Sequence, residues 1–403
     1  MYALLIAALQ VAAPGDAIPT FAAVNAADEV ESGRLIRLNP DFTAVLTRDN
    51  KEFAIKEVIS LRRSDRPLPP LPNSPHLITT CGDRIAGRFL GGDSQALKFL
   101  PSGLELKDEA AWTVPLASAA ILWLTAIPAD TPIDPAQYDW LAGNRNRDVF
   151  RFRNGDIDKG ALSGLDSDAR FNFRPEKGMD RTLRMDELAA AAFNPVLARI
   201  RKPKGQYARV ILADGSRLAL QASNIESGVL KGETLFGFGV TIPVKEIAGL
   251  DVLQGKAVYL SDLKPKKFEQ AGFLSVTWPW AADRNVQGKM LRVATGAGES
   301  TFDKGVGTHP RSMLYYDLGG KYRRFEALIG YDPDTTIRSY ATVRVLVDGK
   351  EQEFPGLPTL KTGNAIPIRV NLKGAKELIL ITDFGTAGGI GADVNWCEAR
   401  LLE

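Results

Sequence analysis

Histidine and cysteine are the scarcest chemistry-bearing residues in this chain of 403, two of each: His76, His309, Cys81 and Cys397. No Cys-x-x-Cys is present, so a Cys/His zinc site has no ligand set. A Ser–His or Cys–His dyad would have to use one of the two histidines. His76 is read as lying in the proline-rich linker, which places it poorly for that. Gly92-Asp93-Ser94-Gln95-Ala96 lacks the closing glycine of a nucleophile elbow and sits in a strand pattern rather than ahead of a helix. A paired-carboxylate hydrolase needs a cleft to hold its two acids, and no cleft-forming domain is visible. The chain therefore reads as a non-enzyme. Cys81 and Cys397 fall in different predicted domains, which favours two buried thiols over a disulfide. Charge of one sign is also lacking: 50 basic against 48 acidic residues give a formal net charge of +2. That balance supplies no field for nucleic acid or anionic lipid. Two apolar runs, 1–13 and 116–127, are too short to cross a bilayer.

The first of those runs has the length of a signal-peptide core, followed by small residues at Gly15-Asp16-Ala17, though no Lys or Arg precedes it. A signal peptide over 1–17 is expected, and with it a secreted, periplasmic or cell-surface location. The 37 glycines and 24 prolines imply many turns and an all-β fold.

Self-similarity organises the first two thirds. Four segments share one pattern: Phe53-x-Ile55-Lys56-Glu57-Val58-x-x-Leu61, Val114-Pro115-Leu116-x-x-Ala119-x-x-Leu122, Leu183-x-Met185-Asp186-Glu187-Leu188-x-x-Ala191 and Ile242-Pro243-Val244-Lys245-Glu246-Ile247-x-x-Leu250. Apolar residues alternate, then step by three, as when a strand enters a short helical turn and continues as a strand. Upstream of three of them lie turn signals at Cys81-Gly82-Asp83, Asn154-Gly155-Asp156 and Asp214-Gly215-Ser216, where glycine supplies the positive φ of a hairpin turn. Four β modules follow, over 18–66, 76–130, 145–195 and 205–262. Their strand rhythm resembles Sm-like and SH3-like barrels. The tract 67–72 reads as a stiff linker. The Arg-rich pieces around Arg147 and Arg151 are interleaved with acids and read as a solvated strand face.

Beyond Lys264 the character changes. Strand candidates run over 313–317, 324–330, 342–347, 366–370, 377–381 and 395–402, with Asp348-Gly349-Lys350 as a hairpin turn; alternating polarity suits two packed sheets. Gly305-Val306-Gly307-Thr308-His309, then Met313-Leu314-Tyr315-Tyr316-Asp317-Leu318-Gly319-Gly320, then Arg324 through Asp332, Val343-x-Val345-x-Val347-Asp348-Gly349-Lys350, and finally Asp393-Val394-Asn395-Trp396-Cys397-Glu398-Ala399-Arg400-Leu401 follow in an order that resembles the NPCBM family of carbohydrate-binding modules over 264–403. The resemblance implies a jelly-roll β-sandwich of galactose-binding-like type, often attached to glycoside hydrolases. The layout as a whole resembles secreted planctomycete-type proteins of unknown role. One departure stands out: where the family commonly has Asp before the Trp, this chain has Asn395, a neutral amide in place of a carboxylate.

A pyranose presents an apolar C–H face and a rim of hydroxyls, so its site combines an aromatic platform with fixed polar groups. The candidates for carbohydrate contact are Trp278, Trp280, His309, Arg311, Asp332, Asp393 and Trp396, with Asp383 at another strand end. Each also has a structural alternative, as core, as turn former or as solvent-facing charge. No cofactor is expected beyond a structural calcium ion that loop carboxylates could hold. The partner expected is a carbohydrate, a galactose-type glycan among the options, with no nucleic acid. Two other readings stay open: an assembly protein with protein partners at the cell surface, and a hydrolase or hydrolase accessory.

Overall fold

The computed structural model describes residues 19–403 apart from 28, 105–109, 129–130, 133, 142–144, 202, 204, 272–276, 296–297, 335–340, 361–364 and 386–391. The expected leader, 1–17, lies outside the described residues. Two compact units form, one ending at Leu253 and one containing Gln254–Glu403. Among the described residues the secondary structure is strand and short 3-10 turn, with no α-helix.

The first unit repeats one five-stranded motif four times. The first repeat consists of β1 (Thr20–Asn25), β2 (Val30–Leu38), β3 (Ala44–Arg48), β4 (Lys51–Ile55) and β5 (Val58–Arg63). The second has β6 (His76–Thr79), β7 (Arg84–Gly92), β8 (Ala96–Pro101), β9 (Trp112–Pro115) and β10 (Ala119–Trp123). The third has β11 (Asp148–Phe152), β12 (Ile157–Leu165), β13 (Arg170–Pro175), β14 (Arg181–Arg184) and β15 (Leu188–Ala192). The fourth has β16 (Tyr207–Leu212), β17 (Arg217–Glu226), β18 (Val229–Thr234), β19 (Gly239–Pro243) and β20 (Ile247–Leu253). In each, the first four strands pair in sequence and the fifth returns antiparallel to the first. This is the small-barrel topology that the strand rhythm resembles.

Two register breaks recur and make the motif legible. The long second strand shifts register between Leu35 and Arg37, Phe89 and Gly91, Leu162 and Gly164, and Gln221 and Asn224. A bulge there bends the strand so that one sheet can wrap around one core. The fifth strand has a second break just after its first residue: Asn25 pairs with Val58 but Val24 with Ser60, and the same skip occurs at 120, 189 and 248. An extra residue reverses the parity of everything after it, so Val58 and Leu61, Ala119 and Leu122, Leu188 and Ala191, and Ile247 and Leu250 all reach the core. The second apolar step of three is thus a bulge. A 3-10 turn precedes it in the last three repeats, at Leu116–Ser118, Met185–Glu187 and Val244–Glu246. Gly82, Gly155 and Gly215 have φ of 89°, 94° and 90°, the left-handed conformation those turns require.

The fifth strands also join the repeats. Leu61 of β5 lies opposite Leu250 of β20, and Leu122 of β10 opposite Ala191 of β15, so the first repeat pairs with the fourth and the second with the third. The two ladders differ chemically. On the first, Arg62 meets the fully buried Asp251. On the second, Trp123 packs with Tyr138 and Trp140 at ring-centroid distances of 5.4 and 5.8 Å. A lone arginine or aspartate brought against the aromatic layer would lose its partner, and breaking a buried pair costs about 3–5 kcal/mol. The chemistry therefore opposes exchanged pairing.

Three expectations change. His76 is not part of a linker: it opens β6 and is fully buried, its ring stacked on Trp123. The proline tract is docked, with the buried Arg217 donating to the carbonyls of Pro69 (2.7 Å) and Pro70 (3.5 Å). The fourth repeat closes with β20, whereas β21 (Ala257–Tyr259), expected within it, pairs with the last strand of the chain.

The second unit is a sandwich. After β21 come β22 (Lys267–Gln270), β23 (Ala281–Ala282), β24 (Leu291–Thr295), β25 (Gly298–Phe302), β26 (Gly305–Thr308), β27 (Ser312–Asp317), β28 (Arg324–Tyr331), β29 (Ala341–Val347), β30 (Lys350–Gln352), β31 (Ile366–Asn371), β32 (Glu377–Phe384) and β33 (Val394–Leu402). One sheet has the order β23-β26-β33-β28-β31 with β21 against β33, the other β22-β27-β32-β29-β30, and β24–β25 form a separate hairpin. Alternate residues such as Leu314, Tyr316, Leu380 and Val343 on one sheet meet Val306, Phe325, Ile329 and Trp396 on the other. In β33 the core-facing positions run Val394, Trp396, Ala399, Leu401 because Glu398, at φ 51°, is an inserted residue. Lys304, buried, ties in the start of the unit by donating to Asp262 (2.6 Å) and Asp283 (2.7 Å). Both cysteines are free thiols; Cys397 is buried, which pushes its pKa well up, and Cys81 is partly exposed.

The junction of the second and fourth repeats gives a pH signature. Asp83 is buried, accepts the Ala219 N–H at 2.9 Å and titrates near about 6, pushed up chiefly by burial. A raised carboxyl pKa means the fold prefers the proton, so stability is lost as pH rises from about 4 through about 6, by an amount on the order of 3 kcal/mol. Asp83→Asn keeps the acceptor and removes the titration. Urea melts of both proteins between pH 4 and 7.5 should show the variant gaining on the wild type over that window; parallel curves would refute the assignment. His76, held down to about 3 by burial and by Arg84, works in the opposite direction in both proteins and cancels in the difference.

Candidate functional site

Topology gathers one end of the sandwich. Thr308 and Tyr331 both lie opposite Val394, and Ser312 lies opposite Thr382. The segments just beyond β26, β28 and β32 and just before β27 and β33 therefore emerge together. They carry His309, Arg311, Asp332 and Asp393, and the last two residues of β32 add Asp383 and Phe384. Gly307 lets the preceding loop join them: a Cβ there would sit 2.5 Å from the Arg284 carbonyl oxygen and 2.7 Å from the Asn285 Cα.

Asp332 is the foundation of this end rather than a contact. It is 1% exposed. Its Oδ2 accepts from the side-chain amides of Asn285 (2.8 Å) and Asn395 (2.9 Å), and its Oδ1 from the Asp334 N–H (3.0 Å). Asn285 in turn accepts the N–H groups of Gln287 (3.0 Å) and Lys289 (2.8 Å), which fixes their loop. Asn395 also donates to the Arg292 carbonyl at 2.9 Å. A carboxylate at 395 would have no proton to donate and would face Asp332 inside the protein, whereas the amide of Asn395 has the same shape and serves as donor.

Above this base sits an open rim. Asp393 Oδ1 lies 2.6 Å from His309 Nδ1. A carboxylate only accepts, so Nδ1 carries the proton, and in the neutral ring Nε2 is the acceptor. Gln287 Nε2 donates to Asp393 Oδ2 at 3.5 Å. The Trp278 ring lies 5.4 Å from that of His309, its plane tilted by 34°. Trp278 is 42% exposed, the one large exposed hydrophobic of this unit among the described residues. Its backbone is pinned by donation to Gln270 Oε1 at 2.6 Å. Arg311 is exposed and its guanidinium lies 5.5 Å from the Phe384 ring centre.

Of the seven candidates, Trp278, His309, Arg311 and Asp393 fall at the rim. Asp393 is itself buried and reaches the rim through His309, while Trp396 and Asp332 are buried and Trp280 is half-buried. Trp396 is completely buried, its Nε1 donating to Thr308 Oγ1 at 3.1 Å within the core. Trp280 packs against the sandwich core. Asp332 is the buried base. The sequence reading missed Gln287, Asn285, Gln270 and Phe384; the Asn-x-Gln-Gly turn at 285–288 was the one available signal. No group of three or more His, Cys, Asp or Glu side chains that could hold a metal ion is present among the described residues, which leaves the expected calcium without a ligand set there. An exposed indole flanked by an imidazole acceptor, an amide donor and a guanidinium can stack on an apolar ring face and bond its hydroxyl rim.

Residues 256–402 match the NPCBM/NEW2 domain family. A curated protein of Renibacterium salmoninarum named "Putative endo-alpha-N-acetylgalactosaminidase" is 33% identical over 106 residues, which is 26% of this chain and 7% of that protein's length. Among solved structures, the CBM51 module of a Clostridium perfringens GH95 protein, in complex with methyl-galactose, covers 36% of this chain and 99% of its own at 23% identity and a TM-score of 0.33. The tandem CBM51 modules of a family 98 glycoside hydrolase of Streptococcus pneumoniae cover 85% of this chain and 99% of their own at 13% identity and a TM-score of 0.33.

The roles of base and rim separate by mutation. Asn395→Asp should destabilise the fold by about 2–3 kcal/mol at neutral pH, the cost of a buried unpaired acid. The loss should shrink as pH falls and the new carboxyl takes up a proton. Denaturant melts at pH 5 and pH 7.5 read this directly; a loss that is the same at both pH values would contradict it.

Proposed function

We propose that this protein is a non-catalytic glycan-binding protein of the cell exterior, which takes its ligand at the rim of the C-terminal sandwich, a galactose-type sugar stacking on Trp278. The observation that carries the reading is the exposed Trp278 ring set against His309, whose Nδ1 is fixed by Asp393. A solvent-facing indole gains nothing from folding, and stacking on the C–H face of a pyranose is what it can do best. His309 Nε2 then accepts from a hydroxyl and Gln287 and Arg311 donate to others. The NPCBM/NEW2 match and the sugar named in the structure of one similar module support the same reading. No helix among the described residues is long and apolar enough to cross a membrane.

A second reading, assembly through protein contacts, draws on the third repeat and its tail. Ile157, Met179, Met185, Val196, Leu197 and Ile200 are all exposed there, six of the seven large exposed hydrophobics among the described residues. Affinity electrophoresis of the full chain through galactan-containing gels decides between the two. Retention that free galactose competes away, and that Trp278→Ala weakens at least about ten-fold, on the order of the 1–3 kcal/mol of a stacked ring, is the expected result. The variant should melt at the wild-type temperature because the ring is exposed. No retention on any galactan would leave the assembly reading.

A further inference from the structure

We propose that Arg311 makes this rim a receptor for acidic glycans, those with a carboxylate or a sulfate beside the sugar that stacks on Trp278. The inference rests on the glycan-binding reading and narrows its ligand. Arg292, Arg324, Arg344, Arg369 and Arg400 in the same unit each reach a carboxylate. Among the described residues, the exposed Arg311 guanidinium reaches none; its recorded contact is with the π-face of Phe384. A cation–π contact of that kind gives the guanidinium no acceptor oxygen for its N–H donors. The nearby acids are otherwise engaged: Asp393 with His309 and Gln287, and Asp383, which continues the β27–β32 register opposite Arg311, with the Phe384 N–H at 2.8 Å.

The backbone adds an independent observation. Arg311 has φ 64°, the left-handed region in which a side chain is disfavoured and glycine would be at ease. The turn is held there by the Ala271 N–H donating to the Arg311 carbonyl at 3.1 Å. Its neighbour Gln270 pins the Trp278 backbone, so one strand end positions both the platform and the cation. An arginine kept in a strained turn, stacked, unpaired and anchored beside an exposed indole is set to receive an oxyanion, whose two oxygens match its paired donors.

Calorimetric titration of the full chain with three galactose-based oligosaccharides tests this: a neutral galactan, an oligogalacturonide and a sulfated galactan. At least one acidic ligand should bind ten-fold or more tightly than the neutral one, and which of them does so names the acid. The advantage should shrink as NaCl is added. Arg311→Gln should remove the acidic ligand's advantage, weakening it at least ten-fold more than it weakens the neutral ligand, while Arg311→Lys should keep part of the preference; thermal melts of both variants report their folding. Equal binding of neutral and acidic ligands, or a loss with Arg311→Gln that falls equally on both, overturns the acidic selectivity alone. Binding of none of the three overturns the glycan reading with it.

Discussion

The buried carboxylate of Asp332 constrains the end of the sandwich more than any other group. A charge removed from water must be given donors, and the chain supplies two side-chain amides, Asn285 and Asn395, from segments far apart in sequence. Meeting that demand brings the end of β28, the start of β33 and the loop after β23 together. Asn285 then holds the loop that carries Gln287, and β33 carries Asp393 at its start, so the polar side of the rim is built on one satisfied acid. The aromatic side is attached separately, through Gln270 at the end of β22. The rim can therefore vary in what it recognises while its base remains a packing requirement.

The repeats follow a comparable rule, with backbone geometry in place of charge. A five-stranded sheet closes around a small core only if its second strand bends and its fifth strand changes parity, and both are achieved by bulges at matching positions in four copies. The fifth strand then has its own first strand on one side and the fifth strand of another repeat on the other. Each repeat alone buries little; the shared ladders turn four weak cores into one, as the single apolar cluster running from Phe21 to Val252 records. The differing chemistry of the ladders, Arg62 with Asp251 in one and a Trp–Tyr layer in the other, gives each repeat its own partner.

Much of the fold was legible because it depends on period. The strands at 313–317, 324–330 and 342–347 alternate cleanly, and Asp348-Gly349 can hardly be anything but a hairpin turn. The four matching endings announced the repeats, and the strand, helical turn, strand order read from them holds in the last three; the second step of three is a bulge, which advances the apolar face as a helical turn does and which sequence spacing does not separate from one. The candidate site was half legible. Trp278, His309 and Arg311, chosen from residue type and family pattern, lie at the proposed rim, whereas Asp393, Trp396 and Asp332 were chosen on the same grounds and are buried. Residue type says what a side chain can bind, but not whether it faces water.

The amino-acid sequence by itself determined the all-β character, the fourfold repetition, the change to a sandwich near residue 264 and the set of side chains from which a binding rim could be drawn, because alternation, turn glycines and composition are local properties. Only the tertiary structure decided which repeats pair, that His76 and the proline tract are packed into the fold, that Asn395 stands where it must donate to a buried acid, and which of two tryptophans flanking a proline is exposed. Those outcomes depend on contacts between segments tens to hundreds of residues apart, where burial and hydrogen-bond partners are set by register and no periodicity in the chain encodes them.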